Sequence, residues 1–296
     1  MSASPETPAT GDYLRSPVRR PQVGVNPGTG SIHDDATAQT LGFRGGTIAG
    51  SLHMDQFPAL LVEAFGHRWF ETGSLSLSFK HATIGGEPVV ALIGRPGGTA
   101  DEQVEARVEQ PDGTLVATGT ASVGEPPSPT HLSSVDLRPS PSGSLKILEG
   151  VAPGTPLSHR ARVDGFALAE RVTRGAVPDP FGWYTGPSPW GGPVANPSAV
   201  VQLLRNRGHE FGPHVGDAVG LFGAIEIRHR AGPVMLDTDY EVTGQVVSVG
   251  ASPRTEYVWY DTTARDASGA PVATMRMQLR WMTASSPLYG TPSAHG

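Results

Sequence analysis

The sequence has no cysteine, which removes disulfides, thiol nucleophiles and thiolate metal sites in one step and fits a reducing compartment. Lysine is nearly absent: Lys80 and Lys146 are the only two, and arginine carries the rest of the positive charge. Charged residues make up only 17% of the chain, and a net charge of −6 argues against a nucleic-acid binder, which needs a basic stripe. No uninterrupted apolar run approaches bilayer-spanning length, so no membrane partner is expected. The opening MSASPETPATGDYLRSPVRRPQ lacks the apolar core of a secretory signal, and the expected location is the cytoplasm.

Glycine and proline are plentiful by contrast, 38 and 28 of 296 residues, which predicts many turns between short elements. The length suits two ordinary domains or one doubled fold. Residues 1–22 are polar and Pro-rich and read as a mobile arm. A second such stretch, GEPPSPTHLSSVDLRPSPSGS, begins at Gly124 and reads as a linker, placed at 126–148. It separates a first part, 23–125, from a second, 149–288, with a tail at 289–296.

The two parts follow the same order. In the first, the turn FRGGTIAG precedes SLHMDQFPALLVEAFG, which has helical spacing at Met54, Phe57, Leu61 and Phe65. Strand-like segments follow: GSLSLSFKHA, EPVVALIGRP, EQVEARVEQ and TLVATGTASV. In the second, WGGPVANP precedes SAVVQLLRNRG, and then come FGAIEIRHRA, DTDYEVTGQVVSVG, TEYVWYDTTARD and APVATMRMQLRWM. Matching Gly45 to Gly192 and Phe79 to Ile227 gives offsets of about 147 and about 148, a near-constant internal period. The pattern predicts an α+β fold in two copies, each an antiparallel sheet wrapped on one helix, with the two sheets paired.

The residues with chemistry cluster in SIHDDATAQTLGFRGGTIAGSL, Ser31 to Leu52. His33 reads either as a base or as a loop histidine bonded to backbone. Asp34 and Asp35 precede a short helical stretch that at least one of them caps, leaving the other to orient His33. Gly50 leaves the first amides of the following helix open to an oxygen ligand, with Ser51 beside it. Asn196-Pro197 marks the matching helix start of the second part. His53 and Asp55 sit two apart and so point in different directions. Asp55 reads equally as a carboxylate entering the cleft or as a cap before Pro58. A metal site built on His33, His53 and an Asp would need convergence that spacing does not supply, and no metal is expected. Phe181, Trp183, Tyr184 and Trp190 lie in one Gly- and Pro-rich loop, which reads as a ligand wall or as core. Arg228, His229 and Arg230 read as a phosphate contact or, for alternating charge, as a solvated strand face.

These motifs resemble the MaoC-like hydratase and dehydratase group of the hotdog superfamily. SIHDD matches the family's His and following Asp as His33 and Asp35. GFRGGTIAGSL matches its G-F-R-G-P-V-A-H-G-M-L without a gap, and SLSFKHATIGGEPV is similar to its later strand and turn. The likeness covers about residues 23–125, with the second part a weaker copy, and resembles two-hotdog members. It implies a double hotdog acting on an enoyl or 3-hydroxyacyl thioester, with no cofactor. An Asp and a His would hold the water, and helix-start amides would take the charge on the thioester oxygen. Carried over, His33 is the catalytic His, Gly50 and Ser51 form the oxyanion side, and Asp35 and Asp55 are the candidate carboxylates. His53, Trp183, Tyr184, Trp190 and Asn196 are the candidate cleft residues. The family's Asp falls at Gly28, or at Gly24 if Asn26-Pro27 is aligned, and neither supplies a carboxylate. The family's His before the helix-start Gly is Ala49 here. Two further readings therefore stand: a thioesterase using Asp55, and a cyclase, isomerase or binding protein for an apolar ligand. The doubled fold is compatible with a monomer or a homodimer.

Overall fold

The computed structural model describes residues 12–23, 30–137, 145–205 and 211–290. Ten strands form one antiparallel sheet. They are β1 (Tyr13–Arg15), β2 (Ser74–Phe79), β3 (Val90–Gly94), β4 (Glu102–Glu109), β5 (Leu115–Val123), β6 (Pro156–Arg162), β7 (Gly220–His229), β8 (Asp239–Ser252), β9 (Thr255–Arg265) and β10 (Pro271–Met282). The helices are α1 (Asp35–Thr40), α2 (Gly50–Met54), α3 (Pro58–Phe65), α4 (Trp69–Thr72), α5 (Gly165–Thr173) and α6 (Pro197–Leu204). The sheet order is β1-β3-β4-β5-β2-β7-β10-β9-β8-β6. Read outward from the β2/β7 seam, the strands run β5, β4, β3, β1 on one side and β10, β9, β8, β6 on the other. Among the described residues, no helix is long and apolar enough to cross a membrane.

Strand β2 shows why this sequence forms the seam. Leu75 and Leu77 are withdrawn from solvent, and in register with them on β7 stand Ile227 and Ile225. The intervening serines would ordinarily face water, yet Ser74 and Ser76 are buried. Ser74 shares a hydroxyl hydrogen bond with Ser122 of β5 (2.7 Å). Ser76 donates to Glu226 of β7 (2.7 Å) and accepts from the Leu132 amide (3.0 Å). Its cover is part of the expected linker. Leu132 is fully buried against Ala224 and Trp259, and Thr130 also donates to Glu226 (2.7 Å). Burying a leucine stabilises by about 1.5–3 kcal/mol, enough to hold this segment as a strap across the seam. The Pro/Ser-rich run at 138–144 lies outside the described residues.

The expected helix over residues 51–66 is two pieces. Met54, Phe57 and Leu61 are fully buried, as their spacing predicts, but α2 ends at Met54 and α3 starts at Pro58. Proline lacks the N–H that a continuing helix would use, so the chain turns through Asp55–Phe57 before resuming. Part of the expected arm, 1–22, is tied to the fold. Tyr13–Arg15 pairs with β3, and Arg19 bonds Asp179 (2.8 Å), while residues 1–11 lie outside the description. Helices α2 and α6 pack on each other, α2 also against β7 and α6 against β9.

Candidate functional site

A cleft of about 770 Å³ opens where the two parts meet. One wall carries Ile32, His33, Phe43, Thr47 to Gly50, His53 and Phe79 to Ala82. The other carries Arg205, Pro213, Val215, Gly220 to Phe222, Leu279 and Trp281. Its described titratable groups are His33, His53, Lys80, His81 and Arg205, and none is a carboxylate.

His33 sits on the loop before α1, and three contacts hold that loop. Asp34 caps α1 by accepting from the Thr37 amide (3.0 Å) and hydroxyl (2.7 Å), which holds its carboxyl below the usual range. Asp35 accepts from the Gly46 amide (2.7 Å). Gly46 has no side chain because a Cβ there would run into the His33 carbonyl. The Gly-Gly turn and the His loop thus lock together. The His33 ring is fixed as well, with Nδ1 2.6 Å from the Thr47 carbonyl. A carbonyl only accepts, so Nδ1 carries a proton, and in the neutral ring the lone pair lies on Nε2. A half-buried imidazole of fixed tautomer on a cleft wall is suited to moving a proton.

His53 is buried at the cleft floor. Gln56 Nε2 donates to His53 Nδ1 (3.1 Å), so His53 Nε2–H donates to Thr83 Oγ1 (3.0 Å). Burial pushes its pKa down to about 4, so it is neutral at physiological pH. Both ring nitrogens are engaged, and its role on this geometry is to fix the wall. Among the described residues, no group of three or more His, Asp or Glu side chains is placed to hold a metal ion.

Asp55 does not line the cleft. It is fully buried between α2 and α6, and Oδ1 accepts from the Ser198 amide at the start of α6 (2.7 Å). It does cap a helix, but one that lies 143 residues along the chain rather than α3. Burial raises its pKa to about 6, against the lowering effects of Ser198, Arg171 and Asn196. Its Oδ2, the Tyr184 hydroxyl and Asn196 Oδ1 are all buried without a hydrogen-bond partner among the described residues. An expected result follows. A folded-state pKa near 6 against 3.8 makes Asp55 a source of stability that is present below pH 4 and lost as pH rises through 6. The span is worth about 3 kcal/mol. Asp55→Asn keeps an oxygen for Ser198 and cannot ionise. In urea unfolding at pH 4.5, 6 and 8, its stability relative to the parent therefore rises with pH, and a pH-independent difference rules this out.

The aromatic loop also stands outside the cleft. Trp183 meets Phe70 (5.6 Å), Phe181 (4.8 Å) and Trp190 (5.5 Å), and Tyr184 is fully buried. Trp190 donates its indole N–H to Glu71 (3.0 Å), and Asn196 is buried at the cap of α6. Of the residues singled out from sequence, His33, Gly50 and His53 line the cleft; Asp35, Ser51, Asp55, Trp183, Tyr184, Trp190 and Asn196 do not. Arg228 and Arg230 pair with Glu125 (2.7 and 3.3 Å), and His229 is buried against Trp69. The opposite wall, with Arg205, Phe222 and Trp281, was not singled out from sequence. Its residues carry no local motif and reach the site only through the pairing of the sheets.

No protein-family model matches the chain, and no curated protein matches its sequence. Solved structures do. The chain covers 93% of itself and 96% of Rv0216 from Mycobacterium tuberculosis, a conserved hypothetical protein with a double hotdog fold, at TM-score 0.57 and 13% identity. It covers 86% of itself and 88% of a MaoC domain protein from Chloroflexus aurantiacus, at TM-score 0.56 and 13% identity. At such identity the likeness is one of fold.

Proposed function

We propose that this chain, which has the hotdog fold seen in MaoC-like proteins, is built as two hotdog repeats and adds water to, or removes it from, an acyl thioester. Both parts contribute walls to one cleft, so a single chain is sufficient for the site. The observation that carries the reading is His33, whose Nδ1–H is committed to the Thr47 carbonyl so that Nε2 is free to act as base. In hydration, Nε2 takes a proton from water as the oxygen bonds to C3 of a 2-enoyl thioester. The C2=C3 pair moves toward the carbonyl to give an enolate, and the proton returns from Nε2–H to C2. In this reading the thioester oxygen is held beside Gly50, which lines the same cleft wall.

One observation favours a second reading. No carboxylate lines the described cleft, and the run QVGVNPGTGSI before His33 contains none. A lone base is enough to move a double bond: it takes a proton from C4 of the 2-enoyl thioester and returns it to C2, with no water consumed. Both readings are tested by incubating crotonyl-coenzyme A with the protein in D2O. Formation of 3-hydroxybutyryl product supports hydration. Deuterium at C4 and C2 without a hydroxy product supports isomerisation. Unlabelled, unchanged thioester with every acyl chain length tried rejects both.

A further inference from the structure

Strand β2 ends in Phe79, after Leu75 and Leu77 on the same face. Its half-buried ring packs on the core and lines the cleft. The ring stands over the start of α2, where a Cβ at position 50 would come within 2.5–2.8 Å of three of its atoms. Glycine at 50 is therefore the counterpart of an aromatic ring at 79, quite apart from any role of its backbone. The positions that correspond in the second part, by the near-constant offsets of the repeat, are Pro197 and Ile227. Both are buried, and neither lines the cleft. At these corresponding positions the second part has no ring standing over a glycine.

We propose that Phe79 determines which acyl groups reach the Gly50 end of α2, admitting unbranched chains and excluding those branched at C2. This rests on the acyl-thioester reading above. A thioester carbonyl placed near Gly50 puts C2 against the ring. An extended chain slides past a flat aromatic face, whereas a methyl group on C2 needs the volume the ring already fills. A methyl-sized misfit in such a pocket changes affinity about 10–200-fold.

The test uses saturated thioesters, which cannot be hydrated, and measures binding by titration calorimetry. The parent protein binds butyryl-coenzyme A at least about 10-fold more tightly than isobutyryl-coenzyme A. In Phe79→Ala and in the milder Phe79→Leu the ratio falls toward unity through a gain in isobutyryl binding. A parent that binds both equally, or variants whose ratio does not move, overturns the role of Phe79 and leaves the thioester reading standing. A parent that binds neither overturns the thioester reading and the role of Phe79 with it. A ligand-free measurement checks the contact itself: Gly50→Ala lowers the melting temperature in the parent background and has little effect in Phe79→Ala. Equal losses in both backgrounds overturn the pairing.

Discussion

Replacing His33 with alanine lowers turnover of the enoyl thioester by roughly 10²–10⁴-fold, the range that a positioned general acid–base contributes. The other candidates are placed differently: His53 has both ring nitrogens engaged, His81 turns Nε2 to the Arg44 guanidinium (3.2 Å), and the buried Asp55 is turned to Ser198. The informative companion is His33→Gln. Its amide N–H is able to donate to the Thr47 carbonyl as Nδ1–H does now, but it supplies no base. If His33 merely held its loop, glutamine would restore activity. If His33 moves the proton, Gln and Ala lose kcat alike while binding of a saturated thioester is unchanged. Recovery in His33→Gln to within a few-fold of the parent would falsify the catalytic assignment.

Glu256→Ala costs at least about 4 kcal/mol of folding stability, because one buried carboxylate holds four donors. Oε1 accepts from the amides of Lys146 (2.8 Å) and Ile147 (3.2 Å), and Oε2 from that of Leu148 (2.9 Å). Tyr289 O–H also donates to Oε1, and the Lys146 ammonium binds the Leu288 carbonyl (3.1 Å) over the Tyr289 ring. This clasp fastens the end of the expected linker and the last described turn, Pro287–Tyr289, to strand β9. Burial, together with the carboxylate beside it, pushes the Tyr289 hydroxyl up to about 12. Alanine leaves several donors without an acceptor and opens a cavity. Glutamine keeps one oxygen but aims an N–H₂ at an amide N–H, so it falls between alanine and the parent. Urea unfolding of the three proteins reads the order directly. A loss below about 1 kcal/mol for alanine would mean that water replaces the carboxylate.

Local pattern was enough wherever a residue's environment is set by its near neighbours. The eight strands from β2 to β5 and β7 to β10 were legible as apolar runs, alternating in β2 and continuous in β3, bounded by turn residues. Strand β6 was not: PLSHRAR lies at the sheet edge and buries only Leu157, so it carries no alternation to read. Strand β1 hid for a similar reason, three residues in a Pro- and Arg-rich arm. The cap at Asp34 could be read from the residues that follow it, and the tie between His33 and Thr47 spans only 14 positions.

By itself, then, the sequence determined eight of the ten strands, the capped start of α1 and the loop that presents His33. All of these follow from spacing within a few residues. Only the tertiary structure decided the partner of Asp55, the packing of the Trp183–Trp190 loop against Phe70 and Glu71, and the far wall of the cleft. It also decided that the expected linker straps the seam. Each of these is a contact between residues far apart in the chain, made when the sheet joins at the β2/β7 seam and α2 packs on α6. No local periodicity encodes which distant surface a buried carboxylate or ring will find.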